Sequence, residues 1–125
     1  MKQLVFLISL FCFFGRSSEV VNGEFEFDRI SWFVYSDHVS LKHHTYRKRA
    51  AYSFHSAGSL IGMTLSELNN MLGEGERCEE TCQLACSLYY KVAISEQEQT
   101  VLNVYLDDKS RVYRTEIEHL GAPAN

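Results

Sequence analysis

The spacing of apolar residues changes once along this chain, and this change limits the fold more than any other feature. Ahead of Gly73, apolar residues recur at helical spacing, as at Tyr46, Ala50 and Phe54, which share one helical stripe. Further along, apolar and polar residues alternate, as in strands that bury one face. The alternating segments are residues 87–94, 101–106 and 112–117. Their short connections predict an antiparallel meander of three strands.

Two helices are predicted ahead of the meander. The first runs through the basic segment that starts at Lys42 and stops near Gly58. The second begins at Thr64, since Thr64 and Glu67 have the spacing of a capping box, and Gly73 is expected to end it as a left-handed C-cap. We therefore predict an α+β fold in which two helices pack on a three-stranded antiparallel meander, an ααβββ two-layer sandwich.

The first residues predict an export signal and not a part of the fold. Residues 4–14 form an apolar run that suits a signal peptide and is shorter than the ~20 residues of a membrane-spanning helix. Small residues follow at Gly15 and Ser17, where cleavage is expected. A buried strand or an uncleaved anchor are the alternatives. Cys12 lies inside the apolar run in a poor lipobox context, so we expect no lipid anchor.

These observations divide the chain into four parts. Residues 1–17 are a signal peptide, 18–40 an N-terminal arm, 41–120 the folded domain and 121–125 a frayed tail. The net charge of the chain is −4, and it becomes −6 without residues 1–17, because these contain two basic residues and no acid. Such an acidic chain is poorly suited to broad nucleic-acid binding, so we expect no nucleic-acid partner.

Three cysteines, Cys78, Cys82 and Cys86, are spaced at intervals of four between the second helix and the first strand. In an oxidising compartment they favour one disulfide with one remaining thiol, and the sequence does not choose the pair. Free thiols are one alternative, and a metal or redox site is another, although metal sites more often use four ligands with Cx2C pairs. We expect no cofactor and no metal, and retain a small metal-binding or redox protein as the alternative function.

A family resemblance rests on the segment around the second helix. Leu60-Ile61-Gly62-Met63-Thr64, then Glu67, then Met71-Leu72-Gly73-Glu74 resembles the signature of the SmpA/OmlA (BamE-like) domain family. Residues 100–107 and 111–117 are similar to the final hairpin of that family, and the resemblance covers roughly residues 25–119. The motif residues are Gly62, Met63, Thr64, Glu67 and Gly73, and their roles in a turn and a cap are structural.

The resemblance implies a non-catalytic exported binding or scaffold module of the bacterial cell envelope, in the periplasm or at the outer-membrane periphery, with a link to outer-membrane biogenesis. A protein partner is expected there, and membrane association without a lipid anchor stays open. No catalytic residue is predicted, since the sequence has no nucleophile elbow, HExxH helix or phosphate-binding glycine loop. The candidate interface residues are Trp32, Tyr89, Tyr105, Arg47, Lys48 and Arg49.

We expect the exported protein to begin near Ser18. Intact-mass spectrometry of protein recovered from the envelope checks this. An intact Met1, or a lipid on Cys12, would contradict the predicted signal peptide.

Overall fold

The structure, a computed structural model, describes residues 20–21, 25–78 and 87–121. Within these ranges it contains four helices: α1 (Arg29–Val34), α2 (His38–His43), α3 (Tyr46–Ala57) and α4 (Leu65–Leu72). The strands are β1 (Val20–Val21), β2 (Phe25–Glu26), β3 (Glu76–Arg77), β4 (Leu88–Ile94), β5 (Glu98–Leu106) and β6 (Val112–Gly121). The predicted α+β class is confirmed. None of the described helices is long and apolar enough to span a membrane.

The main sheet is antiparallel and has the order β3-β4-β5-β6. Its last three strands are the predicted meander. β3 adds a fourth strand, in which Glu76 pairs with Tyr89 and Arg77 with Leu88. This strand is missing from the sequence prediction because a two-residue strand is too short to show alternation. β1 and β2 form a separate two-stranded ribbon.

The segment predicted as an N-terminal arm contains α1 and the first turn of α2, which continues past residue 40 to His43. The Ser31 N–H donates to an Asp28 carboxylate oxygen at the start of α1, and the Ser40 N–H donates to Asp37 at the start of α2. Both aspartates are N-caps, and their carboxylates satisfy backbone donors that a helix start leaves unpaired. The predicted first helix is thus two helices, since extended backbone at His44 separates α2 from α3.

The helices cover one face of the sheet, and their apolar side chains meet it in one core. The predicted stripe on α3 is confirmed, with Ala50 and Phe54 buried and Tyr46 packed at its edge. The other main contributors are Leu68 and Leu72 of α4 and Leu88, Tyr90, Val92, Leu102 and Val104 of the sheet.

The expectation of one buried face holds for β4, where every second residue is buried, and is wrong for β5. Val101 and Asn103 point away from the helices yet are completely buried. β5 is flanked by strands on both sides, so long neighbouring side chains close over it. One of them is Glu118, whose carboxylate accepts a hydrogen bond from the Asn103 amide at 2.7 Å.

The Gly-Met-Thr turn ties the helical layer to the start of β6. The Gly62 N–H donates to the Val112 carbonyl at 2.8 Å, and the Val112 N–H donates to the Met63 carbonyl at 2.9 Å. The Arg111 guanidinium also donates to the Gly62 carbonyl. These motif residues therefore have the structural role expected of them.

Gly73 ends α4 as predicted, but its conformation differs from a left-handed C-cap. Its φ is 84° and its ψ is 178°, so the chain turns directly into extended backbone. A Cβ at this position would lie 2.8 Å from a ring carbon of Phe33. Both the positive φ and the close ring of α1 therefore require glycine here.

We expect Thr64→Ala to lower the free energy of unfolding by about 1 kcal/mol. The capping box is present: the Glu67 N–H donates to the Thr64 hydroxyl at 3.1 Å, and the Thr64 N–H donates to the Glu67 carboxylate at 2.9 Å. Urea denaturation measures the change. Ser66→Ala, an exposed neighbour in the same helix, is the matched control and should change stability by less than about 0.5 kcal/mol. Equal midpoints for the two variants would contradict the cap.

Candidate functional site

Trp32 and Arg47 form the joint that positions the N-terminal helices. The Trp32 side chain is completely buried, and its indole N–H donates to the Leu72 carbonyl at 2.9 Å. The guanidinium carbon of Arg47 lies 4.2 Å from the centre of the Trp32 ring, and Arg47 Nε donates to the Trp32 carbonyl at 2.8 Å. Residues from α1, α3 and α4 are therefore held together at one point.

Arg47 also reaches the sheet. Its Nη1 donates to the Lys91 carbonyl of β4 at 3.2 Å. Burial lowers the pKa of Arg47 to about 10, so the guanidinium stays charged at neutral pH. Its charge faces an aromatic ring and two carbonyl oxygens, which is a favourable setting for a buried cation. Nearby, the Tyr90 hydroxyl donates to the Gly73 carbonyl at 2.8 Å, and burial raises the pKa of Tyr90.

The structure corrects half of the predicted interface residues. Trp32, Arg47 and Tyr105 are buried and do not form part of an exposed surface. Tyr89 is half-buried, and its hydroxyl donates to Glu76. Of the predicted set, Lys48 and Arg49 are the residues that lie fully on the surface. The predictions failed where an aromatic or cationic side chain was needed inside the fold.

Among the described residues, most of the exposed large apolar side chains lie on α1 and α2, and we call this set the α1–α2 surface. It consists of Ile30, Phe33, Val34 and Val39, whose exposed fractions are 71%, 38%, 56% and 65%. In α1, Trp32 points inward while Ile30, Phe33 and Val34 point outward, so the helix is apolar around most of its circumference. Such a helix belongs in a protein interior or in an interface, because water favours a polar outer face.

Cationic side chains border the α1–α2 surface. The guanidinium carbon of Arg29 lies 4.9 Å from the centre of the Phe33 ring, and Arg29 Nε donates to the Asn70 carbonyl. Lys42 is exposed on α2. This surface is not among the sequence predictions, although Ile30 and Val34 stand four residues apart, which is the spacing of one helical face.

A second feature is an open groove between α3 and β6, with a volume of about 640 Å³. Its lining comprises Tyr52, His55, Arg114, Thr115, Glu116, Ile117 and His119. The Tyr52 hydroxyl lies 3.3 Å from His119 Nε2, and His55 Nδ1 lies 3.2 Å from the Thr115 hydroxyl. These contacts between α3 and β6 fix the polar side chains that line the groove.

The cysteine predictions fall mostly outside the described residues. Cys78 follows β3, is half-buried, and its backbone N–H donates to the Ser87 carbonyl at 3.4 Å. Cys82 and Cys86 lie outside the described ranges, so the disulfide and the alternative metal site both remain predictions. Within the described ranges, no three histidine, cysteine, aspartate or glutamate side chains are arranged to hold a metal ion.

Comparison of the chain with protein-family models, with curated proteins and with solved structures finds no match.

We expect Arg47→Met to lower the free energy of unfolding by about 2 kcal/mol, because it leaves the Trp32 and Lys91 carbonyls without their donor. Chemical denaturation followed by circular dichroism measures the loss. Lys48→Met is the matched control, since the same change at the adjacent exposed position should stay within about 0.5 kcal/mol. Similar losses for both variants would show that the buried contacts of Arg47 are not what stabilises the joint.

Proposed function

We propose that this chain is an exported, non-catalytic binding module of the bacterial cell envelope whose partner is a protein. The observation that supports the proposal best is the α1–α2 surface, where four large apolar side chains face water. Exposed apolar residues that share one helix face, as Ile30, Phe33 and Val34 do, usually mark an interaction site. Burial of one such side chain contributes about 1.5–3 kcal/mol, so even partial burial of these four would drive association.

The surface is also rigidly supported, which favours binding. α1 is held by the buried Trp32, whose indole and carbonyl groups both have hydrogen-bond partners. Below it, the Phe33 ring rests against Gly73 at the end of α4. A surface that is already ordered loses little conformational entropy when a partner binds, so more of the burial energy appears as affinity.

The chemistry of the partner follows from the side chains at the border. Arg29 and Lys42 place positive charge beside apolar residues, so the complementary surface is apolar with acidic groups around it. The chain as a whole carries a net charge of −4, which opposes general attraction to anionic membranes. A protein partner therefore fits better than a lipid surface.

The sequence resemblance to the SmpA/OmlA (BamE-like) family supports a location in the periplasm or at the outer-membrane periphery. In this proposal the family's ααβββ arrangement corresponds to α3, α4, β4, β5 and β6. α1 and α2 precede these elements and carry the α1–α2 surface, while β3 lies between α4 and β4. The binding specificity is then located in α1 and α2 and not in the Gly-Met-Thr motif.

We expect the double variant Ile30→Ser, Val34→Ser to abolish partner binding while stability changes by less than about 0.5 kcal/mol per site, because both side chains are largely exposed. Site-specific photo-crosslinking from position 30, in cells that make the protein, identifies the partner. Crosslinking from Lys109, in the exposed turn between β5 and β6, is the matched control.

A defined protein adduct from position 30, weakened when Val34→Ser is added to the same chain and not formed from position 109, supports the proposal. The absence of any adduct, or equal adducts from both positions, contradicts it. Sedimentation of the purified chain with anionic vesicles, if it also depends on Ile30 and Val34, would show that the surface binds lipid and that the proposed protein partner is wrong.

A further inference from the structure

β6 forms one edge of the main sheet, and the described residues leave most of its outer side without a backbone partner. Among them, only Gly62 and Met63 of the Gly-Met-Thr turn bond to that side, both at Val112. In the described part of the chain, no backbone hydrogen bond joins residues 113–121 to any segment other than β5. An edge strand of this length presents a row of backbone donors and acceptors that another strand can pair with.

The groove beside α3 follows this edge, where Arg114 is exposed, Glu116 and Ile117 are half-buried and Thr115 is 7% exposed. Successive residues of a strand point to opposite faces of its sheet, so one face contributes only alternate residues to a surface. The groove is lined by four consecutive residues, 114–117. The lining therefore includes the backbone edge of β6 itself, and an added strand would lie along it between the edge and α3.

We propose that a second copy of this chain docks here, with the two β6 strands pairing antiparallel about a two-fold axis at Thr115. In this register Arg114 of each copy lies opposite Glu116 of the other, and Thr115 lies opposite its own counterpart. The pairing is self-complementary, as a symmetric dimer requires. Opposite charges on directly facing residues stabilise such a pair of strands.

The sequence of β6 favours this register over the registers with the axis at residues 114, 116, 117 or 118. Facing residues in a two-fold antiparallel pair must share a face, so the axis passes through a residue position. An axis at residue 114 places Arg114 opposite Arg114 of the other copy. Axes at 116 and 118 likewise place Glu116 opposite Glu116 and Glu118 opposite Glu118. An axis at 117 sets Glu116 against Glu118. Like charges facing each other destabilise a strand pair, so among these positions only the axis at Thr115 avoids them.

The charged side chains are already held in position within each copy. Arg114 and Glu116 form an ion pair on the face opposite the helices. The guanidinium carbon of Arg114 lies 4.8 Å from the centre of the Tyr105 ring, and the Tyr105 hydroxyl donates to Glu116 at 2.9 Å. Hydrogen bonds from Arg114 and Tyr105 lower the pKa of Glu116, so its carboxylate stays ionised. Dimer formation extends each pair into a four-charge network.

This dimer is independent of the proposed protein partner. α2, which carries part of the α1–α2 surface, packs against β4. In the sheet, β5 lies between β4 and the β6 edge. The two-fold contact therefore leaves the α1–α2 surface open in both copies.

Sedimentation-velocity centrifugation of the full chain over a concentration series tests the proposal. The unchanged chain should form a weak, concentration-dependent dimer. Arg114→Glu alone and Glu116→Arg alone should each weaken it by about tenfold or more, since each sets like charges against each other. An equimolar mixture of these two variants should dimerise again, because the acidic strand of one then faces the basic strand of the other.

The mixture distinguishes loss of the contact between copies from damage within each copy. Both variants lack the internal Arg114–Glu116 ion pair, alone or mixed, so recovery of the dimer in the mixture can come only from the contact between copies. Lys109→Glu reverses a charge in the β5–β6 turn and should dimerise like the unchanged chain. Circular-dichroism melting confirms that each variant is folded. A chain that stays monomeric throughout the series, single variants that dimerise normally, or a mixture that stays monomeric would each overturn the proposal. None of these outcomes bears on crosslinking from Ile30.

Discussion

The contact of the Arg47 guanidinium with the Trp32 ring is the interaction on which the arrangement of the helices depends. A single buried cation reaches the backbone of α1 and of β4, while the ring it covers reaches the backbone of α4. Apolar packing alone is non-directional and would leave the six-residue α1 free to rotate on the core. The directional hydrogen bonds fix which side of α1 faces inward, and so determine which of its apolar residues remain in water.

Most of the fold could be predicted from periodicity and capping, and the failures have physical reasons. The α3 stripe, the start of α4 and the β4–β6 meander follow from patterns that extend over several residues. α1 and α2 have six residues each, too few for such a pattern. Their only clear signals are the capping aspartates Asp28 and Asp37, each followed three residues later by a serine whose N–H it accepts.

The candidate site was harder to predict, because residue type does not determine exposure. Arg47, Lys48 and Arg49 are all predicted interface residues, yet only the latter two are exposed. Helical spacing does indicate that Arg47 lies on the buried face of α3, since it precedes the buried Ala50, Ala51 and Phe54 by three, four and seven residues. The exposure of Ile30 and Val34 could not be predicted from helical spacing, because it depends on which side of α1 faces the core. That side is the one that carries Trp32.

Trp32 is also the only tryptophan of the chain, which gives this joint an optical reporter. The emission of an indole shielded from water lies at shorter wavelength than that of a hydrated one. A red shift would therefore signal that water has reached the junction of α1, α3 and α4, without labelling. Loosening at the far end of β6, remote from the indole, would leave the emission unchanged. Fluorescence and circular dichroism recorded on the same sample would thus distinguish opening of the helical joint from fraying of the sheet.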